Sequence, residues 1–144
     1  MTQFSAADCE YKPADEDSTH LAYVFHMTAL DLERFVRLYL QKGNFEGDQL
    51  VPAWWIEQSL RPYSALPDGN GLGYFWEVAV DGKLYGTSNG TGGFAFSGWP
   101  GHYVVGLPDQ QMSIVHALEY DVPGKETLST ERFARLLSFI TTES

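Results

Sequence analysis

Apolar residues recur along this chain with two periods, and the change from one to the other separates helical from strand-forming regions. Leu32, Phe35, Val36, Tyr39 and Leu40 repeat at helical spacing until Gly43, which predicts an amphipathic helix. Thr28, with Asp31 three residues later, marks its start: the hydroxyl accepts from the first unpaired backbone N–H groups and the acid reaches back. Asn44 to Gln49 read as a polar connection. Pro52 then sits where a first-turn proline belongs, and Trp55, Ile56 and Leu60 share a face, so a second, shorter helix is expected to end before Pro62.

The Pro, Asp, Asn and Gly residues between Pro62 and Gly73 predict a loop, after which Tyr74 to Val80 turn aromatic and β-branched, as a strand does. Asp81 and Gly82 form a hairpin signal leading to Lys83, Leu84 and Tyr85, because this dipeptide accepts the positive φ angles of a tight turn. A glycine-rich loop spans Gly86 to Gly93. Phe94 to Ser97, His102 to Leu107 and Met112 to Glu119 read as further strands, joined by connections so short that the strands must be antiparallel neighbours. Thr130 caps a last helix, in which Phe133, Leu136, Leu137 and Ile140 form a buried stripe. Residues 1 to 26, with Asp15, Glu16 and Asp17 and no sustained period, are expected to be irregular. The prediction is a single α+β domain over residues 1–144. It has an antiparallel sheet of about four to five strands, two helices before the sheet and a C-terminal helix packed on it.

Composition narrows the function. With 144 residues, 44% of them hydrophobic and 15% aromatic, the chain can bury a core of its own. A formal charge of -10 and nine scattered basic residues, among them Lys42, Lys83 and Lys125, work against nucleic acid and against an anionic membrane surface. The lone Cys9 excludes an intrachain disulfide. No run approaches the roughly 20 apolar residues a bilayer span needs, and Met1 to Glu10 lack a basic segment followed by an apolar one, which leaves the compartment open. His20 and His26 match no metal-ligand spacing, and the Gly86 to Gly93 loop lacks the lysine and following helix of a phosphate cradle. No metal or cofactor is expected.

Three stretches carry a family resemblance. MTALDLERFVRLYLQKGNFEGDQLVPAWWIEQSL (27–60), GLGYFWEV (71–78) and FAFSGWPGHYVVGLPDQQMSIVH (94–116), in that order and spacing, resemble the C-terminal part of the serine β-lactamase and penicillin-binding-protein-like hydrolases, a group that includes class C β-lactamases and related esterases. Phe4, Tyr11, Ser18, His20, Ala22 and Tyr23 are similar to the segment that precedes the first helix in some members. The resemblance implies acyl transfer through a covalent serine ester, supplied by Ser-x-x-Lys, then Tyr-x-Asn or Ser-x-Asn, then Lys-Thr-Gly or a histidine-containing variant. No serine in these 144 residues is followed three positions later by lysine, Ser129 before Arg132 being the nearest, and neither form of the second motif occurs. At the third, the ungapped alignment falls on Gly93, Phe94 and Ala95, and a small shift brings in Phe96, Ser97 and Gly98; either way the lysine is missing.

The expected chemistry follows from that inventory. No catalytic residue is assigned, because a serine hydroxyl attacks poorly without a base within hydrogen-bond reach. The strand still offers a substrate-binding wall of Phe96, Ser97, Gly98, Trp99, Gly101 and His102, with a backbone N–H near Phe96 aimed at a developing oxyanion. Strand alternation sets Ser97 and His102 on opposite faces, and Ser113 and His116 likewise. His102 either lines the pocket or makes a structural hydrogen bond; His116 is expected to be a satisfied sheet residue. Trp54, Trp55, Trp76 and Trp99 are expected in the core or a pocket wall, with Trp99 facing a cleft. The resemblance further implies an exposed sheet edge and apolar face, covered by self-association or by a complementing N-terminal segment. Three functions remain: a hydrolase portion inactive alone, an acidic non-catalytic binding or interaction module, and a hydrolase with a site rebuilt around Ser97 and His102.

Overall fold

The computed structural model describes residues 27–88, 91–98, 101–118, 124 and 126–142, together with the backbone of 9–12 and 22–25. Helix α1 (Ala29–Leu40) starts as its sequence predicts. The Thr28 hydroxyl accepts from the Asp31 N–H at 3.2 Å, and Asp31 Oδ2 accepts from the Thr28 N–H at 3.2 Å, so each side-chain oxygen answers the other residue's backbone donor. Helix α2 (Ala53–Ser59) follows, with Pro52 as its N-cap and Ile56 and Ser59 buried. Helix α3 (Thr130–Thr142) closes the chain. Its cap lies one residue earlier than the sequence suggests: the Ser129 hydroxyl accepts from the Arg132 N–H at 3.4 Å, while Thr130 is the first helical residue.

Strands β1 (Cys9–Lys12) and β2 (Ala22–Phe25) pair antiparallel. This corrects the expectation of irregular structure before residue 26. The alternation in Cys-Glu-Tyr-Lys and the apolar run Ala-Tyr-Val-Phe are short strand signals that the acidic residues between them obscure. Three further short strand pairs follow. Strands β3 (Asn44–Phe45) and β4 (Asp48–Gln49) form the first, within what reads as a polar connection. Strands β5 (Ser64–Ala65) and β6 (Gly71–Leu72) occupy the expected 62–73 loop and pair with each other. Strand β7 (Glu77–Val78) is the ordered core of the longer run predicted from Tyr74. At the predicted hairpin, Val80 and Lys83 form a bridge around Asp81 and Gly82, whose φ values are 51° and 72°. A second turn of the same kind, Tyr85 and Gly86, joins β8 (Lys83–Leu84) to β9 (Thr87–Ser88) and shortens the expected glycine-rich loop.

Strands β10 (Phe94–Gly98), β11 (His102–Leu107) and β12 (Met112–His116) complete the sheet, with a short 3-10 turn at Pro108–Gln110. The order is β12-β11-β10-β7-β6-β5, six strands rather than the four to five expected, because β5 and β6 are too short to register as periodic segments. Alternation along β10 and β11 assigns the two faces. Phe94, Val78 and Val104 join Val36, Tyr39, Ile56 and the fully buried Trp76, so α1 and α2 cover one face. Ala95, Tyr103, Val105 and Leu107 join Leu84, Tyr85, Phe133 and Leu137 under α3 on the other. Phe94 lies opposite Gly106 in the ladder, and a β-carbon there would stand 2.2 Å from the Phe94 ring; the missing side chain is what lets that ring lie flat on the sheet.

Two packing expectations fail on exposure. Leu136 lies on the outer side of α3, because the sheet reaches only Phe133 and Leu137. Trp54 is 61% exposed and Trp55 42%, since α2 turns Ile56 and Ser59 to the core and leaves the tryptophans to contact each other and Tyr74 on the surface. Among the described tryptophans Trp76 meets the core expectation, ringed by Tyr39, Phe94 and Phe96 at 4.8, 4.8 and 5.3 Å.

Candidate functional site

The site is built at the far end of β10. Ladder pairing with β7 involves only Phe94 and Ala95, so Phe96, Ser97 and Gly98 run past it. The Ala79 N–H donates to the Gly93 carbonyl at 2.7 Å, which fixes the parity: Gly93, Ala95 and Ser97 direct their backbone groups toward β7, and Phe96 toward β11. The first backbone N–H on the unpaired edge is therefore that of Ser97.

Side chains alternate in the same way. Phe96 points to the α1 face, against Trp76 and Phe75. Ser97 points to the α3 face, where its hydroxyl donates to Glu77 Oε1 at 2.8 Å. The buried Asn70 amide donates to the other Glu77 oxygen at 3.2 Å and to Asp68 Oδ2 at 3.0 Å, and its carbonyl accepts the Tyr85 N–H at 3.0 Å. That last bond holds Tyr85 at φ 53°, a conformation unfavourable for a bulky residue. The Tyr85 side chain is only 8% exposed, and its hydroxyl has no hydrogen-bond partner among the described residues. Burial first, then the neighbouring Glu77 charge, pushes its ionisation far above the ordinary phenol range, so it stays protonated.

Beside this cluster opens a cleft of about 550 Å³ lined by Ser97, Gly98, Gly101, Tyr103 and the 127–131 segment that enters α3. Tyr103 stacks on Phe133 with ring centres 4.0 Å apart, and its hydroxyl donates to the Leu128 carbonyl at 3.1 Å. Gly101, at φ 136°, lies so close to that segment that a β-carbon would sit 2.8 Å from the Leu128 nitrogen. At the rim the Ser129 hydroxyl holds the Glu131 carboxyl below its usual range, with Arg135 nearby contributing less.

The six residues expected to form one wall do not all meet. Ser97, Gly98 and Gly101 line the cleft; Phe96 and His102 lie across the sheet; Trp99 falls outside the described residues. His102 Nδ1 accepts from the Leu118 N–H at 3.3 Å, a structural hydrogen bond and not a base beside Ser97. His116 Nδ1 bonds the Gly101 carbonyl at 2.8 Å, as a satisfied sheet residue does. Ser113 bonds Glu33 at 3.3 Å on the α1 side, away from His116. Asn70, Glu77 and Tyr85 are the residues that sequence reasoning passed over. Glu77 had one signal: an acid between Trp76 and Val78, inside a buried strand.

The model of the family described as Beta-lactamase matches residues 5–138. This chain belongs to the β-lactamase family. The match spans β1 through most of α3, so the β10 strand and its cleft are β-lactamase-family structure and not a chance likeness of helices. No curated protein matches the chain. Among the described residues no helix is long and apolar enough to cross a membrane, and no group of three or more His, Cys, Asp or Glu side chains is placed to hold a metal ion. His20 and His26 lie outside the described residues.

Proposed function

We propose that this chain supplies the substrate-facing strand wall of a β-lactamase-related hydrolase that acts on esters or amides by acyl transfer, and that these 144 residues alone do not turn substrate over. The observation that carries the reading is the disposition of Ser97. Its backbone N–H stands on the open edge of β10, where a donor can meet an oxyanion, while its hydroxyl is committed to Glu77, and the histidine on its face of the ladder, His116, lies two strands away beyond Tyr103 with Nδ1 bonded to the Gly101 carbonyl. On this reading the described residues hold a floor for the reaction and present no activated hydroxyl at the cleft. Ser97, Gly98 and Gly101 are the wall residues of this reading; Phe96 and His102 support the strand.

A second reading, in which Ser97 itself attacks, has one observation in its favour: Glu77 accepts from its hydroxyl at 2.8 Å. Hydrolysis of 4-nitrophenyl acetate by the purified chain separates the two. The first reading expects a rate equal to that of heat-denatured material. Saturable turnover that disappears in Ser97→Ala would establish the second and sink the first.

A further inference from the structure

We propose that the surface row Trp54, Trp55, Tyr74 and Tyr63 docks a proline-rich segment in the polyproline II conformation. This surface is separate from the acyl-transfer reading of the β10 cleft, since none of its four residues lines that cleft. The rings touch in succession, with centres 5.8, 5.2 and 5.4 Å apart, and each is between 42% and 61% exposed. An aromatic side chain carries roughly 150–250 Å² of surface, so four half-exposed rings in contact leave roughly 300–500 Å² of contiguous apolar area, the scale at which a surface patch marks an interaction site. The row is also preformed. The Tyr74 N–H donates to the Ser59 carbonyl at 3.1 Å, and a β-carbon on Gly73 would run into that carbonyl, so this segment lies directly against α2, which carries the tryptophans. The Tyr63 N–H donates to the Leu72 carbonyl at 2.9 Å and its hydroxyl to Gln58 Oε1 at 2.8 Å. Rings held in place before binding spare the ordering cost of a flexible site.

The chemistry of the row selects its occupant. Successive ring planes meet at 84°, 61° and 15°, which makes a ridged surface of the kind that the repeating rings of a polyproline II segment pack against. Each indole has one N–H donor and no acceptor, and Gln58, whose carbonyl is taken by Tyr63, has its amide N–H groups to offer. Prolines bring carbonyl acceptors and no N–H, so docking strands no donor of the segment. Glu57, one helical turn on from Trp54, and Arg61, two residues before Tyr63, are exposed and of opposite sign, so the flanks of the row suit a segment without net charge. A second copy of the chain would set donors against donors, and a charge of -10 against another -10.

Titration of acetylated, amidated decaproline into the isotope-labelled chain, followed by NMR of the indole N–H signals, tests this. The Trp54 and Trp55 signals should shift saturably while that of the buried Trp76 stays in place, and a Gly-Ser peptide of equal length should give no saturable shift. Trp54→Ala and Tyr63→Ala, at the two ends of the row, should each weaken binding about tenfold or more. Both side chains are more than half exposed, so the variants should keep their dispersed spectra; if one does not, the other decides. Absence of a saturable shift with decaproline, an equal response to the Gly-Ser peptide, or unchanged affinity in a folded alanine variant overturns the proposal. Tighter binding of maltohexaose at the same signals overturns it in favour of a sugar platform, and a dimer that both substitutions abolish overturns it in favour of a contact between copies.

Discussion

Asn70 does more at residue scale than any other polar side chain in the described structure. It is 1% exposed, and through one amide it ties the 66–70 loop, β7 and the Tyr85 turn together. Removing it strands the Tyr85 N–H and takes a donor from one acceptor oxygen of Glu77, and an unmet buried group costs about 1–3 kcal/mol. Asn70→Ala is therefore expected to lower stability to urea by about that amount, with faster hydrogen exchange at the Tyr85 amide than at Val105, which is in the same core. Unchanged exchange at Tyr85 would mean that its left-handed turn is held by something else. Such a residue is hard to recognise in sequence, since one asparagine in an Asp-Gly-Asn-Gly stretch reads as turn chemistry and not as a buried hub.

At the scale of elements, the starts of α1 and α3 depend on side-chain hydroxyls paired with carboxylates, and this makes them sensitive to acid. The Thr28 hydroxyl is the largest influence holding Asp31 below its ordinary value of 3.8. Because the folded form binds its proton more weakly than the unfolded chain, the stabilisation is present above pH 3.8 and is lost as pH falls through the lower folded value. Helix α3 repeats the arrangement with Ser129 and Glu131. Thr28→Ala should accordingly lower stability at pH 7 and flatten its fall below pH 4, which thermal unfolding at a series of pH values would record; an acid limb as steep as in the parent would contradict the account. Long elements were legible in the sequence for a physical reason. The α1 face repeats over three turns, and β11 matches its predicted bounds of His102 to Leu107 because the run is flanked by Gly101 and Pro108. Two-residue strands such as β5, β6 and β9 offer no period to read; only their turns do.

On the scale of the whole molecule, the sheet is covered on both faces, by α1 and α2 on one and α3 on the other, and each cluster has its own aromatic centre, Trp76 or the Tyr103–Phe133 stack. Strand β12 has a single ladder neighbour among the described residues, which leaves its outer backbone groups available to a further strand. The parity of β10 divides its residues between two environments: Phe96 completes the α1 core, and Ser97 opens on the cleft. That division explains why β10 was legible in the sequence and the neighbour of the Ser97 hydroxyl was not, since Glu77 reaches it from 20 positions upstream. The account rests on a cleft without an attacking group. Its most direct test is the intact mass of the purified chain after incubation with excess fluorophosphonate. A mass unchanged from the untreated protein is predicted; a stoichiometric adduct on Ser97, or on any other serine of the chain, would contradict it.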